Sequence, residues 1–412
     1  MSATHLSTAL PKLSALFNKE NKHKNIDNNV DIIIVGAGII GCACAASLAK
    51  QGLRVVVIEA STLGGGATAA GMGHLVVMDD NPAELALTSY SLELWRQLIG
   101  KQNQHNSLHK TQHNNPHEYS ACGTIWVATD EEEYLAAQDK HRLLQQHGIS
   151  SQLLNAKQLQ EAEPNLRYNL VGGLLVHNDA LVYPPKSAAL LMESAIHDGA
   201  QLIQGEVCEV LQGGVKLSNG VEIQGKEILI ANGIAALKLL PELPLRHKKG
   251  HLLITDRYPQ FIRHQLVELG YIKSAHASNG DSVAFNLQPR PTGQIFIGSS
   301  RQFDVTDKEI DTHILAKMLS RASSYVPHLQ QLKALRAWTG FRAASPDGLP
   351  IIGPHPWRKN IWLATGHEGL GITTSLATAE LIKDIILQQS SKISSAPYLP
   401  SRLAFTIPNL KE

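Results

Sequence analysis

The clearest pattern of hydrophobic positions lies near the start of the chain. Residues 30–36 read VDIIIVG, a β-branched run closed by glycine. Residues 39–50 continue with apolar and small residues at helical spacing, and residues 53–59 return as a second β-branched run. Strand, glycine turn, helix and strand in this order make a βαβ unit. Residues 32–49 carry no charge, and by length alone they could span a membrane. The three glycines punctuating the first half argue instead for a buried Rossmann segment.

Helical spacing recurs at 91–99, 131–146, 155–164 and 184–199, the last with Pro184 and Pro185 near its start. A β-meander follows at 207–211, 214–217 and 221–223, with Ser218-Asn219-Gly220 as the tight turn between the last two strands. A buried strand at 226–230 ends at Ala231-Asn232-Gly233. From about 237 to 333 the texture changes to strands flanked by Pro and Gly, including 281–287 and 294–297, which predicts a separate and largely antiparallel layer. A strand at 360–364, a glycine-rich loop at 365–374 and a helix at 376–388 close the pattern. In that helix Leu381, Ile382, Ile385 and Ile386 share one face, while Glu380, Lys383, Asp384 and Gln388 point away. No internal repeat is apparent.

Composition narrows the function classes. A chain of 412 residues, 43% hydrophobic, can build two or three domains with a sizeable core. Thirty-seven basic against thirty-six acidic side chains leave a net charge of +1, so no global field recruits nucleic acid or an anionic membrane surface. The four cysteines, Cys42, Cys44, Cys122 and Cys208, form no C-x-x-C pair and are too sparse for a disulfide framework or a four-ligand zinc site. A reducing, cytoplasmic compartment fits best, and Cys42 and Cys44 read as small core residues on the first helix. Residues 1–29 are polar, with no apolar stretch of a secretory signal, and read as a loose tail or short surface helix.

Gly36-Ala37-Gly38-Ile39-Ile40-Gly41 is a G-x-G-x-x-G that closes a strand and opens a helix. Gly36 permits the tight turn, Gly38 lets the backbone approach a pyrophosphate, and Gly41 allows close helix–strand packing. The helix N-terminus then offers N–H groups to the phosphates. Glu59, at the end of the second strand, stands where a carboxylate accepts from a ribose 2'-OH, and it disfavours a 2'-phosphate. A second run, Gly64 to His74, contains Gly66, Ala67, Thr68, Ala70, Gly71, Met72 and Gly73. A third contains Gly366, His367, Gly369, Leu370, Gly371, Ile372 and Thr373. Three such runs suggest one long ligand threaded through a domain, with the final helix N-terminus facing an electron-rich ring edge, which suits FAD better than NAD.

The chain resembles the FAD-dependent amino acid oxidases and dehydrogenases, the family of glycine oxidase, sarcosine oxidase and D-amino acid dehydrogenases. The residues that carry the resemblance are VGAGIIG at 35–41, GGGATAAGMG at 64–73, DGLPIIG at 347–353 and TGHEGLGIT at 365–373. Within that family, AAGMGHLVVMDDNP at 69–82 and VAFNLQPRPTGQIFIGSSRQ at 283–302 look most like D-hydroxyproline dehydrogenases. The resemblance implies FAD contacts from the glycine runs, from Glu59 and Ala60, from the Val207 backbone near the adenine, and from Ala231, Asn232 and Gly233. It also implies that Arg342, in a GFR segment, grips the substrate carboxylate, for which a guanidinium fork is apt. Ala343 stands where the family has proline. Asn286 stands where glycine oxidase has tyrosine, which disfavours glycine as substrate.

The reaction so implied is hydride transfer from the α-carbon of a neutral amine to flavin N5, followed by hydrolysis of the imine. Orientation and exclusion of water supply most of the effect, so no obligatory acid–base residue is predicted. His74 and His251 are candidates for shaping the flavin or substrate pocket, with ordinary hydrogen-bonded histidines as the alternative. Arg290 and Arg301 are candidates of the same kind, with surface or interdomain ion pairs as the alternative. His105, His109, His113 and His117 recur every four residues, but their tract holds Pro116 and almost no apolar residue, so it reads as a solvated loop rather than a metal stripe. No metal site is expected.

The expected architecture is thus α/β, a Rossmann-like FAD-binding domain interleaved with an antiparallel-sheet α+β substrate domain. The FAD-binding domain is expected from 30–90, 155–236 and 334–390, and the substrate or cap domain from 91–154 and 237–333. Residues 1–29 and 391–412 are tails. The partners implied are a small amino acid and either an electron-acceptor protein or fellow subunits of a heteromeric dehydrogenase, and no membrane attachment is evident.

Overall fold

The computed structural model describes residues 30–107, 115–270 and 280–405. The β-branched runs of the first sixty residues become β1 (Ile32–Val35) and β2 (Val55–Glu59), joined by α1 (Ile39–Ala49). β1 pairs in parallel with both β2 and β12 (Glu227–Ile230), and Ile32 and Ile34 enter the core on one face while Ile33 and Val35 enter the core on the other, which is why it reads as an unbroken apolar run. With β8 (Gln201–Gln204), β18 (Ile351–Pro354) and β19 (Ile361–Thr365), these strands form a sheet in the order β18-β19-β12-β1-β2-β8. Helices α1, α6 (Pro184–His197) and α9 (Gly371–Ile386) pack together over one side of it. The meander, β9 (Val207–Leu211), β10 (Gly214–Leu217) and β11 (Glu222–Gln224), forms a small antiparallel sheet packed on the other face.

Among the described residues a second large sheet has eight strands, in the order β17-β13-β16-β15-β14-β4-β6-β5. These are β4 (Thr124–Ala128), β5 (Ser151–Asn155), β6 (Gly172–Val176), β13 (Arg246–Thr255), β14 (Gln265–Glu268), β15 (Ser282–Pro289), β16 (Ile295–Phe303) and β17 (Ala334–Ala344). Helices α4 (Glu131–Gln146), α5 (Ala156–Ala162) and α8 (Thr312–Tyr325) pack against it. A short pair, β3 (His74–Leu75) with β7 (Ala180–Leu181), and the helices α2 (Gly66–Ala70) and α7 (Ala236–Leu239) lie between these elements in the chain.

The interleaved architecture is the one expected, but the boundaries differ. Strands β6 and β17 were expected in the nucleotide-binding part, yet they hydrogen-bond to β4 and β13 in the eight-stranded sheet. Pairing of ten β17 residues with β13 outweighs the nearness of β17 in sequence to the final βα unit.

Four local expectations are corrected. The helix expected at 91–99 is α3 (Pro82–Ser107); Asn81 Oδ1 accepts the Glu84 N–H at 2.9 Å, and Pro82 takes the first helical position. The helix expected from 376 starts at Gly371, because Thr373, Thr374 and Ser375 bury against neighbouring helices despite their loop-like composition. In it Asp384 is buried rather than turned away, with Lys383 Nζ 3.1 Å from its carboxylate. Finally, His117 is not in a solvated loop. Its ring is buried edge-on to Trp95, with Nδ1 3.0 Å from Ser187 Oγ, and burial lowers its pKa to about 4. His109 and His113 lie outside the described residues.

Candidate active site

The carboxyl ends of β1, β2, β12 and β19 converge on one edge of the parallel sheet, the edge where such sheets bind ligands. After β1 the chain turns at Gly36 with φ +104°, and a Cβ there would stand 2.8 Å from Asn232 Cα. A Cβ on Gly41 would stand 1.9 Å from the Gly36 carbonyl oxygen, so α1 and β1 approach as only glycine allows. The Glu59 carboxylate accepts from the Ala37 N–H at 2.7 Å and the Ser61 N–H at 2.8 Å. Ala60 lies beside it, its carbonyl accepting from Gln204 Nε2, and Gly205 N–H donates to the Glu59 carbonyl, which brings the start of β9 at Val207 to the same end of the sheet.

The second glycine run closes over this edge. Thr68 Oγ1 accepts the Ile39 N–H at 3.0 Å at the start of α1, beside Ile40, and Gly64 N–H donates to the Ala37 carbonyl. A Cβ on Gly71 would stand 2.8 Å from Ile372 Cδ1, so the run also abuts the start of α9. On its other side Ala70 meets Gly340 of β17, where a Cβ would lie 2.4 Å away, and the Ala70 carbonyl accepts from Trp338 Nε1. Gly66 and Ala67 open α2, and Gly73 takes φ +100° against the Val182 carbonyl. The third run joins the same junction: Thr365 Oγ1 donates to the Gly233 carbonyl, and Thr373 Oγ1 donates to the His74 carbonyl. Thus the two large sheets meet through residues 64–74 and 366–373.

This cradle fits a long dinucleotide such as FAD. The cap residues of α1 and α9, Gly38 and Leu370, bond no first-turn N–H through a side chain of their own, and at α1 Thr68 Oγ1 takes the Ile39 N–H. Asn232 Oδ1, after β12, is buried and has no hydrogen-bond partner among the described residues. Glycines at 36, 41 and 71 let the turn, α1 and the second run approach one another closely, which draws the backbone N–H groups at the start of α1 to this edge. Gly369 precedes α9, but His367 turns inward, its Nε2 3.0 Å from Thr378 Oγ1, and burial lowers its pKa to about 3.

The face of the eight-stranded sheet that meets this cradle carries the polar chemistry. Arg342 lies opposite Lys248 in the register of β17 and β13, and its Nη1 donates to the Ser300 carbonyl at 3.1 Å. The guanidinium covers Gly250, where a Cβ would come within 2.7 Å of Nη1. Lys248 is buried and holds Glu368 at 2.5 Å. Burial raises the Glu368 carboxyl, but Lys248, Arg342 and Arg301 outweigh it and hold the group below the usual carboxylate range. Met72, Leu252 and Phe296 form a small apolar cluster on this face, with Trp338 packed against it.

Farther along the face His74 meets three amides. Its Nδ1 is 2.7 Å from Gln265 Oε1 and 2.9 Å from Gln288 Nε2, and its Nε2 is 3.4 Å from Asn286 Nδ2. Asn286 and Gln288 alternate onto one face of β15. Burial, with the charge of Arg342, lowers the His74 pKa, and the Gln265 hydrogen bond works the other way.

His251 does not join this group. Its Nδ1 is 2.9 Å from Ser300 Oγ and its Nε2 accepts the Asp311 N–H at 3.0 Å, so it is the ordinary hydrogen-bonded histidine of the alternative reading. Arg290 pairs with Glu118 at 2.6 Å and lies over Tyr183 and Phe296. The residues missed in the sequence are Lys248, Gly250, Gln265, Gln288 and Glu368. The i, i+2 spacing of Asn286 and Gln288 in a strand was the one available signal. Among the described residues no group of His, Cys, Asp or Glu could hold a metal ion, and no helix is long and apolar enough to cross a membrane.

Comparison with known proteins places this geometry. The family described as FAD dependent oxidoreductase, DAO, matches residues 31–385. Glycine oxidase of Geobacillus kaustophilus is 27% identical over 384 aligned positions, covering 90% of this chain and 97% of that protein. Hydrogen cyanide synthase subunit HcnC of Pseudomonas aeruginosa is 27% identical over 434 positions, covering 92% and 97%. The crystal structure of the Geobacillus kaustophilus glycine oxidase superposes with a TM-score of 0.79 at 26% identity, over 91% of this chain and 99% of that one. L-proline dehydrogenase from P. horikoshii shares the fold, with a TM-score of 0.80 at 21% identity over 91% and 97%.

Proposed function

Because the chain belongs to the DAO family of FAD dependent oxidoreductases, we propose that it oxidises a small amino acid of the D-hydroxyproline or D-proline type at its α-carbon. The observation that carries this reading is Arg342, which lies over the bare Gly250 backbone on the same sheet face as His74 and Asn286. A guanidinium in that position pairs two-to-two with an α-carboxylate and fixes the α-carbon. Bound FAD supplies the two-electron acceptor that takes the hydride at N5. It would be held by the 36–41 turn, by Glu59 and Ala60, by residues 66–73 and 231–233, by the Val207 backbone, and by the loop at 366–373.

The apolar cluster of Met72, Leu252 and Phe296 gives a ring-bearing substrate a dry wall, and the amides of Asn286 and Gln288 give it hydrogen-bonding acceptors. Anaerobic bleaching of the yellow protein by cis-4-hydroxy-D-proline or D-proline, and weaker bleaching by glycine, is the expected result. No bleaching by any D- or secondary amino acid would remove the reading.

Two specific relationships favour further readings. Glycine oxidase of Pseudomonas aeruginosa is 28% identical over 98% of its length, which supports a glycine or sarcosine oxidase. The HcnC relative is named as a subunit, which supports a flavin-bearing subunit that passes electrons to a partner. Peroxide formation with glycine identifies the first. Co-purified subunits needed for turnover identify the second. The four free cysteines accord with a cytoplasmic location.

A further inference from the structure

The amide cluster around His74 does more than line a pocket. Gln265 is the anchor, because its Nε2 donates to the Ala180 carbonyl at 3.0 Å, which turns Oε1 toward His74. An oxygen 2.7 Å from Nδ1 requires a proton on that nitrogen, since two lone pairs at this distance repel. Gln288 Nε2 stands 2.9 Å from Nδ1 and 3.2 Å from the same Oε1; with Nδ1 protonated by the shorter Gln265 contact, it donates to that oxygen and not to the ring. Nε2 of His74 is left as the acceptor, with only the long contact of the Asn286 amide nitrogen, 3.4 Å away, against it among the described residues. Asn286 Oδ1 and Gln288 Oε1 are buried, and neither has a hydrogen-bond partner among the described residues.

The geometry points to His74 Nε2 as the acceptor of the ammonium proton that the amino acid must lose before oxidation, with Gln265 as the residue that positions the ring and fixes its tautomer. This rests on the amino acid reading of the site. In the step, one N–H bond of the substrate breaks and the Nε2–H bond forms. The positive charge passes from the substrate nitrogen to the ring, and no electrons change hands. The cluster accommodates both states: turning the Asn286 amide sets Oδ1 against Nε2–H of the imidazolium, giving that orphan oxygen its partner.

The surroundings keep the resting ring neutral. Burial is the main cause of its lowered pKa, opposed by the Gln265 hydrogen bond, and the charge of Arg342 on β17 adds to the lowering. β14 and β15 present the neutral Gln265, Gln288 and Asn286, β7 pairs Leu181 with His74, and α9 contributes the Thr373 hydroxyl to its carbonyl. Asp179, next to β7, turns its carboxylate to the Val77 N–H.

The test follows flavin reduction against pH with whichever amino acid bleaches the wild-type holoenzyme, in the H74N, Q265E and Q265L variants. H74N should reduce about 100-fold more slowly at pH 7 and recover toward wild type near pH 10, where the substrate amine is already neutral. Q265E should move the acidic limb of the profile upward by about one pH unit, and Q265L should move it downward. Imidazole nitrogen NMR of the holoenzyme, with the His74 signal identified by its loss in H74N, should show the Nδ1–H tautomer. Equal slowing of H74N at every pH, or an Nε2–H tautomer, would overturn the assignment while leaving the amino acid reading intact. A wild-type protein that no amino acid bleaches would overturn both.

Discussion

Lys248 Nζ lies 2.5 Å from Glu368 Oε1, joining β13 to the turn that leads into α9. Glu368 is held there with φ +46°, its N–H donating to the Ala343 carbonyl at 3.0 Å. The Glu368 carboxylate is therefore shared between Lys248, which holds it directly, and the neighbouring charge of Arg342. K248M should release Glu368 toward Arg342 and raise KM by roughly 10-fold or more, with a much smaller change in kcat. Steady-state kinetics decides this, and an unchanged KM would refute it.

G250A tests the space under Arg342. The added Cβ would fall 2.7 Å from Nη1 and 2.9 Å from Nη2, at the far end of a flexible side chain, so the guanidinium moves and the strand stays. The expected outcome is a Tm close to wild type and a kcat/KM lowered by about 10- to 100-fold, the size expected when a bidentate carboxylate contact is misplaced. A parallel loss of Tm and activity would mean that the strand itself gave way.

G41A and G66A should separate close packing from backbone conformation. The Cβ of G41A would meet the Gly36 carbonyl at 1.9 Å, a backbone clash that cannot be relieved locally, and about 3 kcal/mol or more of stability should be lost. At Gly66 the new Cβ meets nothing within 4 Å, but φ is +56°, so the cost should be about 1 kcal/mol. Denaturant titration of both variants checks the order, and equal losses would contradict it.

Asp179 predicts a pH effect. Burial raises its carboxyl to about 7, against the lowering hydrogen bond from the Val77 N–H. A folded-state pKa above the unfolded one contributes stability in full below the unfolded value, and that contribution is lost as pH rises through about 7. The neutral D179N should therefore gain on wild type between pH 5 and pH 8, by on the order of 1–2 kcal/mol. Thermal melts at the two pH values measure it, and the same Tm difference at both would exclude this titration.

The elements that could be read directly are those whose information is local. β1, α1 and β2 follow from a β-branched run, a glycine turn and a helical period, and Glu59 arrives at the turn because β2 ends there. The α4 bounds were likewise written in contiguous residues, with Asp130 capping the Glu133 N–H. The Asn81-Pro82 start of α3 was legible too, but the polar tract that follows hid the helix. Arg342 was singled out by its GFR segment through the family resemblance. Its neighbours were not, because Lys248 and Gly250 come from a strand some ninety residues earlier, aligned with it by the antiparallel register of β13 and β17. His74 meets Gln265 and Gln288 across about two hundred residues of chain, and His251 is separated from them by the hydrogen bonds that hold it to Ser300 and Asp311. Hydrophobic period and turn chemistry act over a few residues and so specify elements and the ligand edge of the parallel sheet. The register between distant strands and the packing of one sheet against the other are set by burial summed over the whole molecule. Those sums brought His74, the amides and the arginine to one face.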